Sequence, residues 1–224
     1  MKPWILLERA PISEEGKEIC LYQHDADFSI KVGGVELMNS RMHGSEEALA
    51  RLACQETAQL PRQQILIGGL GMGFTLRAAL DELPGLSQVV VAELIPAVVK
   101  WNQGVLAALA SSPLEDKRVT IHEADVGTMI REGRGLYSAI LLDVDNGPES
   151  LFTKANDRLY SLKGLHAARA ALRRQGVLAV WSAGPDAGFV QRLRSVGFDV
   201  AEVRVNARSG PKAGGHHWIW LARK

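Results

Sequence analysis

"QQILIGGLGMGFTLRAAL" (residues 63–80) joins an aliphatic run to a helix-like pattern through a stretch with four glycines in six positions. Gly68, Gly69, Gly71 and Gly73 make a segment that is costly to order, because glycine loses more backbone freedom on folding than any other residue. That cost is tolerated where the main chain needs positive φ, or where another group must approach it closely. Residues 65–67 read as a strand and 74–82 as a helix, so the glycines occupy a strand-to-helix turn. The first amides of such a helix offer donors to a polar ligand. The spacing is G-G-x-G-x-G and no Lys-Ser or Lys-Thr follows, which argues against a phosphate-cradling P-loop.

Downstream the alternation continues. "VVVAEL" (89–94), "VTIHEAD" (119–125), "SAILLDVD" (138–145) and "GVLAVWSA" (176–183) read as strands, with helices over 96–110, 162–174 and "DAGFVQRLRSVG". "DVAEVRV" and "HHWIWLAR" follow one another closely, which predicts an antiparallel strand at the end of the sheet. Strands apolar on both faces that alternate with helices imply a mostly parallel sheet covered on both sides. The expected fold is α/β, Rossmann-like and doubly wound on a seven-stranded sheet, with ligands at the carboxyl ends of its strands. Ahead of it, residues 18–38 alternate apolar and polar positions and read as a small antiparallel meander. Ser45 is placed to N-cap the helix that follows, and Pro61 ends that segment. The division expected is an N-terminal β meander over residues 1–44 and a ligand-binding α/β domain over 45–224.

Composition narrows the function classes. The chain has 224 residues, 46% hydrophobic and 23% charged, with a formal charge of +1. This balance gives no global signature for nucleic acid or membrane, and Arg131, Arg134, Arg173 and Arg174 read as solvated helix faces. Cys20 and Cys54 make neither a zinc spacing nor a disulfide framework, and are expected to be buried in a reducing cytoplasmic setting. In "MKPWILLERAP" Glu8 and Arg9 interrupt the apolar stretch too soon for a signal peptide. No metal is expected, and His216 and His217 read as loop residues.

Three successive strands end near an acid. Glu93 follows Gly73 by 20 residues and is placed to accept both hydroxyls of a ribose. Asp125 ends "HEAD" and is placed for an adenine amino group, while Asp143 ends the fourth strand in "LLDVDNGP". Together with the glycine turn they outline a pocket rim. Trp181 is either a pocket wall or a core aromatic; Tyr22, Met38 and Met42 read as packing between meander and helix.

The run "ILIGGLGMGFTLRAAL", "VVVAELIPAVV", "VTIHEAD", "YSAILLDVDNGPESLFT" and "GVLAVWSA" resembles the spermidine synthase (aminopropyltransferase) family, over roughly residues 18–205. The resemblance implies a class I methyltransferase-type fold, S-adenosylmethionine or its decarboxylated form as co-substrate, a small-molecule amine as acceptor, and a homodimer. It implies nucleoside contacts at Gly68, Gly69, Gly71, Gly73, Glu93, Asp125 and Asp143, with Asp143 as the base that deprotonates the attacking amine. The family's glycine turn reads G-G-G-D-G, whereas Leu70 and Met72 flank Gly71 here. In the family's D-[ST]-[ST]-D-P stretch, Asn146 takes the second acid's place and Asp145 stands one position earlier. "MHGSEEAL" replaces a Tyr-His-Glu, so Glu46 or Glu47 takes the substrate-binding role beside Asp145 and Asn146. A polyamine is a chain of ammonium groups and needs carboxylates along a slot. Two alternatives stay open: a methyltransferase acting on another acceptor, and a non-catalytic nucleoside-binding relative.

Overall fold

A computed structural model of the chain describes residues 2–12, 16–144, 158–208 and 215–224. Strands β1 (Ile5–Pro11), β2 (Glu18–His24), β3 (Asp27–Val32) and β4 (Val35–Asn39) form an antiparallel sheet in chain order, followed by helix α1 (Gly44–Glu56). β1 lies ahead of the expected meander. Ser45 is not the N-cap of α1: His43 holds that position, and the Ser45 hydroxyl is engaged with side chains instead of backbone amides.

The second sheet begins with β5 (Gln64–Gly68), and the glycine turn leads into α2 (Phe74–Glu82). Then come β6 (Gln88–Glu93), α3 (Pro96–Gln103), β7 (Val119–Glu123), α4 (Val126–Glu132) and β8 (Tyr137–Leu142). The chain continues with α5 (Leu162–Ala171), β9 (Leu172–Ser182), α6 (Ala187–Ser195), β10 (Asp199–Asn206) and β11 (His216–Arg223). The seven strands lie in the order β10-β11-β9-β8-β5-β6-β7. β5 to β9 pair in parallel, while β11 pairs antiparallel with both β9 and β10. The antiparallel strand therefore inserts between two others, because β10 occupies the edge. The expected helix over 162–174 ends at Ala171, and Leu172 already belongs to β9. The expected helix over 96–110 stops at Gln103, where Gly104 breaks it before a 3-10 turn.

Alternate residues of one strand feed two cores. Ile65 and Ile67 face a cluster that includes α1, α2 and Leu21, Phe28 and Ile30 of the N-terminal sheet. Leu66 faces the other, with Leu165, Leu178, Phe189 and Trp220. Each of these side chains is worth about 1.5–3 kcal/mol when fully buried. One apolar cluster thus runs through both sheets and holds β4 over the carboxyl ends of the parallel strands. Among the described residues no helix is long and apolar enough to cross a membrane. Cys54 is buried as expected, whereas Cys20 is only half-buried.

Candidate active site

The glycine turn is shaped first by the protein itself. Gly69 has φ +87, and a Cβ there would lie 2.5 Å from the Asp143 carbonyl oxygen. Gly73, at φ +84, forms the N-cap of α2 against Asn102. A Cβ on Gly68 would meet Val126 Cγ2 at 2.9 Å, and one on Gly71 would meet Met38 Sδ at 3.1 Å. Asn102, buried on α3, donates to the Gly71 carbonyl at 2.8 Å and pins the turn. Glu93 pins it from β6: one carboxylate oxygen accepts the Leu70 amide at 2.9 Å, the other the Ile95 amide at 2.8 Å. A hydrogen bond to a charged group contributes about 1.5–3 kcal/mol, so Glu93 is a structural keystone of the turn. Ribose hydroxyls would share this carboxylate with the two amides. Asp125 stands just past β7 as the N-cap of α4, accepting from the Gly127 and Thr128 amides at 3.1 and 2.9 Å. It is exposed at the strand-end edge, with Arg131 3.6 Å away.

Beside the turn is a pocket lined by Leu37, Met38 and Asn39 of β4, Glu46 of α1, Leu70, Gly71 and Met72, Phe74 and Thr75 of α2, Asp143, and Trp181 of β9. Asp143 follows β8 directly, and Thr75 Oγ1 donates to its carboxylate at 2.6 Å. Burial pushes Asp143 up to about 6, and the Thr75 bond opposes that shift. Glu46 is pushed up to about 8, by burial first and then by the Asp143 charge, with the Ser45 hydroxyl pulling the other way. The two acids titrate as a pair that shares about one proton at neutral pH. No Lys, Arg or His lines the pocket among the described residues. Excess negative charge in a low-dielectric cleft is an environment for a cation.

The Glu46 shift has a consequence for stability. The folded chain holds this proton up to about pH 8, whereas an unfolded glutamate releases it near 4.5. Between those values the native state binds more protons, so stability falls as pH rises. Glu46→Gln removes the effect and keeps an acceptor for Ser45. Melting temperatures of the two proteins are expected to coincide near pH 4.5 and to separate in favour of the variant by pH 8.5. Parallel curves across that range would contradict a strained Glu46.

The structure separates the two candidate acids of α1. Glu46 faces the pocket; Glu47 meets His43 Nδ1 at 2.8 Å in a neighbouring groove, where His43 stacks on Phe74. Asp145 and Asn146 lie outside the described residues. Met38, expected as packing alone, is also a pocket wall, and so is Trp181. His216 and His217 open β11 instead of lying in a loop, and His217 reaches Ser45. Thr75 went unread in the sequence; its signal is a hydroxyl in the first turn of the helix that the glycines open. Among the described residues no three His, Cys, Asp or Glu side chains group as a metal site would require.

No family model matches the chain. It is 31% identical over 127 residues to polyamine aminopropyltransferase 1 of Streptomyces coelicolor, covering 56% of this chain and 23% of that protein's length. The chain thus spans about a quarter of that curated relative. Among solved structures it resembles the spermidine synthase of Thermotoga maritima, with a TM-score of 0.78 at 19% identity over 98% of this chain and 72% of the other. A spermidine synthase in complex with the transition state analogue AdoDATO superposes over the same shares, with a TM-score of 0.75 at 19% identity. The fold is the Rossmann-like one of the spermidine synthases, N-terminal antiparallel sheet included.

Proposed function

We propose that the chain transfers an aminopropyl group from decarboxylated S-adenosylmethionine to a small amine. The observation that carries this reading is the pocket beside the glycine turn, with two carboxyls, Glu46 and Asp143, and no basic side chain among its described lining residues. A cationic aminopropyl tail and an ammonium acceptor suit such a cleft; a carboxylated tail would be repelled by it. The similarity to an aminopropyltransferase and to spermidine synthases supports the same reading.

In this reading the nucleoside lies along Gly68–Gly73, with its ribose on Glu93 and its adenine amino group toward Asp125. Asp145 and Asn146 would complete the acceptor slot. Asp143 takes a proton from the acceptor's ammonium, and the freed amine nitrogen then bonds to the carbon next to sulfur. The carbon–sulfur bond breaks toward sulfur, and neutral methylthioadenosine leaves. The sulfonium is already activated, so the protein's task is alignment and proton removal. A homodimer and a cytoplasmic setting belong to the reading, the exposed Ile5, Leu7 and Val35 of the N-terminal sheet offering a self-association surface.

One observation favours a second reading, methyl transfer from S-adenosylmethionine: Leu70 and Met72 stand in the turn where aminopropyltransferases carry an acid. Thermal shift separates the two by mass action, since a ligand at ~100 times its Kd adds about 2.7 kcal/mol of stability. Decarboxylated S-adenosylmethionine is expected to raise Tm more than the carboxylated form, and putrescine or spermidine to add to the methylthioadenosine shift. Preference for the carboxylated form with no effect of diamines would favour methyl transfer.

A further inference from the structure

We propose that Ser45 and His217 are positioning residues for the amine acceptor. A one-way hydrogen-bond chain, from His217 Nδ1–H to Ser45 Oγ and from Ser45 Oγ–H to the Glu46 carboxyl, fixes that carboxyl against the acceptor's ammonium. The inference rests on the amine-transfer reading above.

Ser45 is fully buried, with its hydroxyl 2.7 Å from Glu46 Oε2 and 2.8 Å from His217 Nδ1. A hydroxyl has one hydrogen. With that hydrogen given to Glu46, the close contact to His217 requires the proton on Nδ1, with Ser45 as its acceptor. Burial and the neighbouring His216 lower the His217 pKa and so disfavour the charged ring, while the Ser45 contact is what puts the proton on Nδ1. Its other surroundings fit a fixed ring: Trp181, a wall of the same pocket, meets it edge-on at 4.7 Å. Both dipoles point at Glu46 Oε2 and reinforce one another. Whether Glu46 is ionised or protonated, Oε2 stays an acceptor, and Oε1 is left to carry the exchangeable proton or the ammonium.

The frame of this chain is rigid. The Gly44 amide donates to the Ala207 carbonyl at 3.0 Å, beside the start of α1. At the helix's other end Arg223 of β11 donates to Glu56 at 2.7 Å. Helix α1 is thereby tied at one end to the residue that follows β10 and at the other to β11, and a residue 172 positions away delivers the donor. A carboxyl held in advance costs the acceptor less to order than a mobile one.

The test is steady-state transfer from decarboxylated S-adenosylmethionine to putrescine by the full chain and by Ser45→Ala, His217→Ala and His217→Asn. The first two are expected to raise the putrescine KM about tenfold with kcat within about threefold, the size of one lost charge-assisted hydrogen bond. Methylthioadenosine affinity should not change. Asn places an amide N–H near the Nδ1 position, so His217→Asn should restore KM where His217→Ala does not. Should Ser45→Ala fail to fold, the His217 pair decides alone. An unchanged KM in the variants, or no advantage of Asn over Ala, overturns the inference and spares the reaction. A wild-type chain that transfers to no amine overturns the reaction and the inference with it.

Discussion

Asp143→Asn is expected to lower amine transfer by about 10²–10⁴-fold, the usual contribution of a positioned base, while methylthioadenosine still binds. Asparagine fills the same volume and can still accept the Thr75 hydroxyl, now 2.6 Å from the carboxylate. It cannot take the proton that the acceptor must lose before its nitrogen can attack. Burial holds Asp143 near 6, so the carboxylate predominates at neutral pH and remains a stronger base than an ordinary aspartate. Activity should therefore fall as pH drops through about 6. Removing the Thr75 hydroxyl with Thr75→Val takes away a hydrogen bond that favours the charged form, and the acidic limb of the profile should move to higher pH. A variant that keeps full transfer activity without the carboxylate would remove Asp143 from the chemistry. A limb that stays in place in Thr75→Val would detach it from Asp143.

The order in which such features become legible follows the range of the forces involved. The strand-turn-helix at residues 63–80 is local: aliphatic period, glycines and helix pattern adjoin in sequence, and the structure reproduces β5 and α2 within a residue or two. The strand-end acids are nearly as local, since Glu93 closes β6 and Asp143 follows β8. β1 escapes notice because it is an edge strand whose apolar residues do not alternate in sequence, with one face exposed and the other only half-buried. The insertion of β11 beside β9 is a pairing of distant segments that no local pattern encodes. Glu46 and Glu47 look alike in sequence; a rotation of about 100° per residue sends one to the pocket and the other to His43. Met38 and Trp181 are apolar wherever they lie, so a wall and a core residue read the same. His217 and Ser45 meet across 172 positions, beyond any motif.

Gly69→Ala should be strongly damaging, because strain and a main-chain clash fall on the same methyl. Its backbone is at φ +87, where an L-residue with a Cβ costs roughly 1–2 kcal/mol. The Cβ would also lie 2.5 Å from the Asp143 carbonyl oxygen, a main-chain atom with little room to yield. The Gly69 amide is tied to the Ala92 carbonyl at 2.9 Å and the Asp143 amide to the Gly68 carbonyl at 3.0 Å, so both sides of the clash are anchored in the sheet. Overpacking of this kind adds about 1–3 kcal/mol. The sum, about 2–5 kcal/mol, corresponds to a Tm lower by roughly 5–20 °C in a chain of this size. Gly135→Ala supplies the control: φ is +59 there, but no atom lies within 4 Å of the new methyl. Strain alone should lower its Tm by only a few degrees. Because relief at Gly69 must push the Asp143 main chain, transfer activity should fall even at temperatures where the Gly69 variant is fully folded. If the two variants melt together and both retain activity, then the turn yields to a side chain, and the close fit between residues 69 and 143 does not hold the base in place.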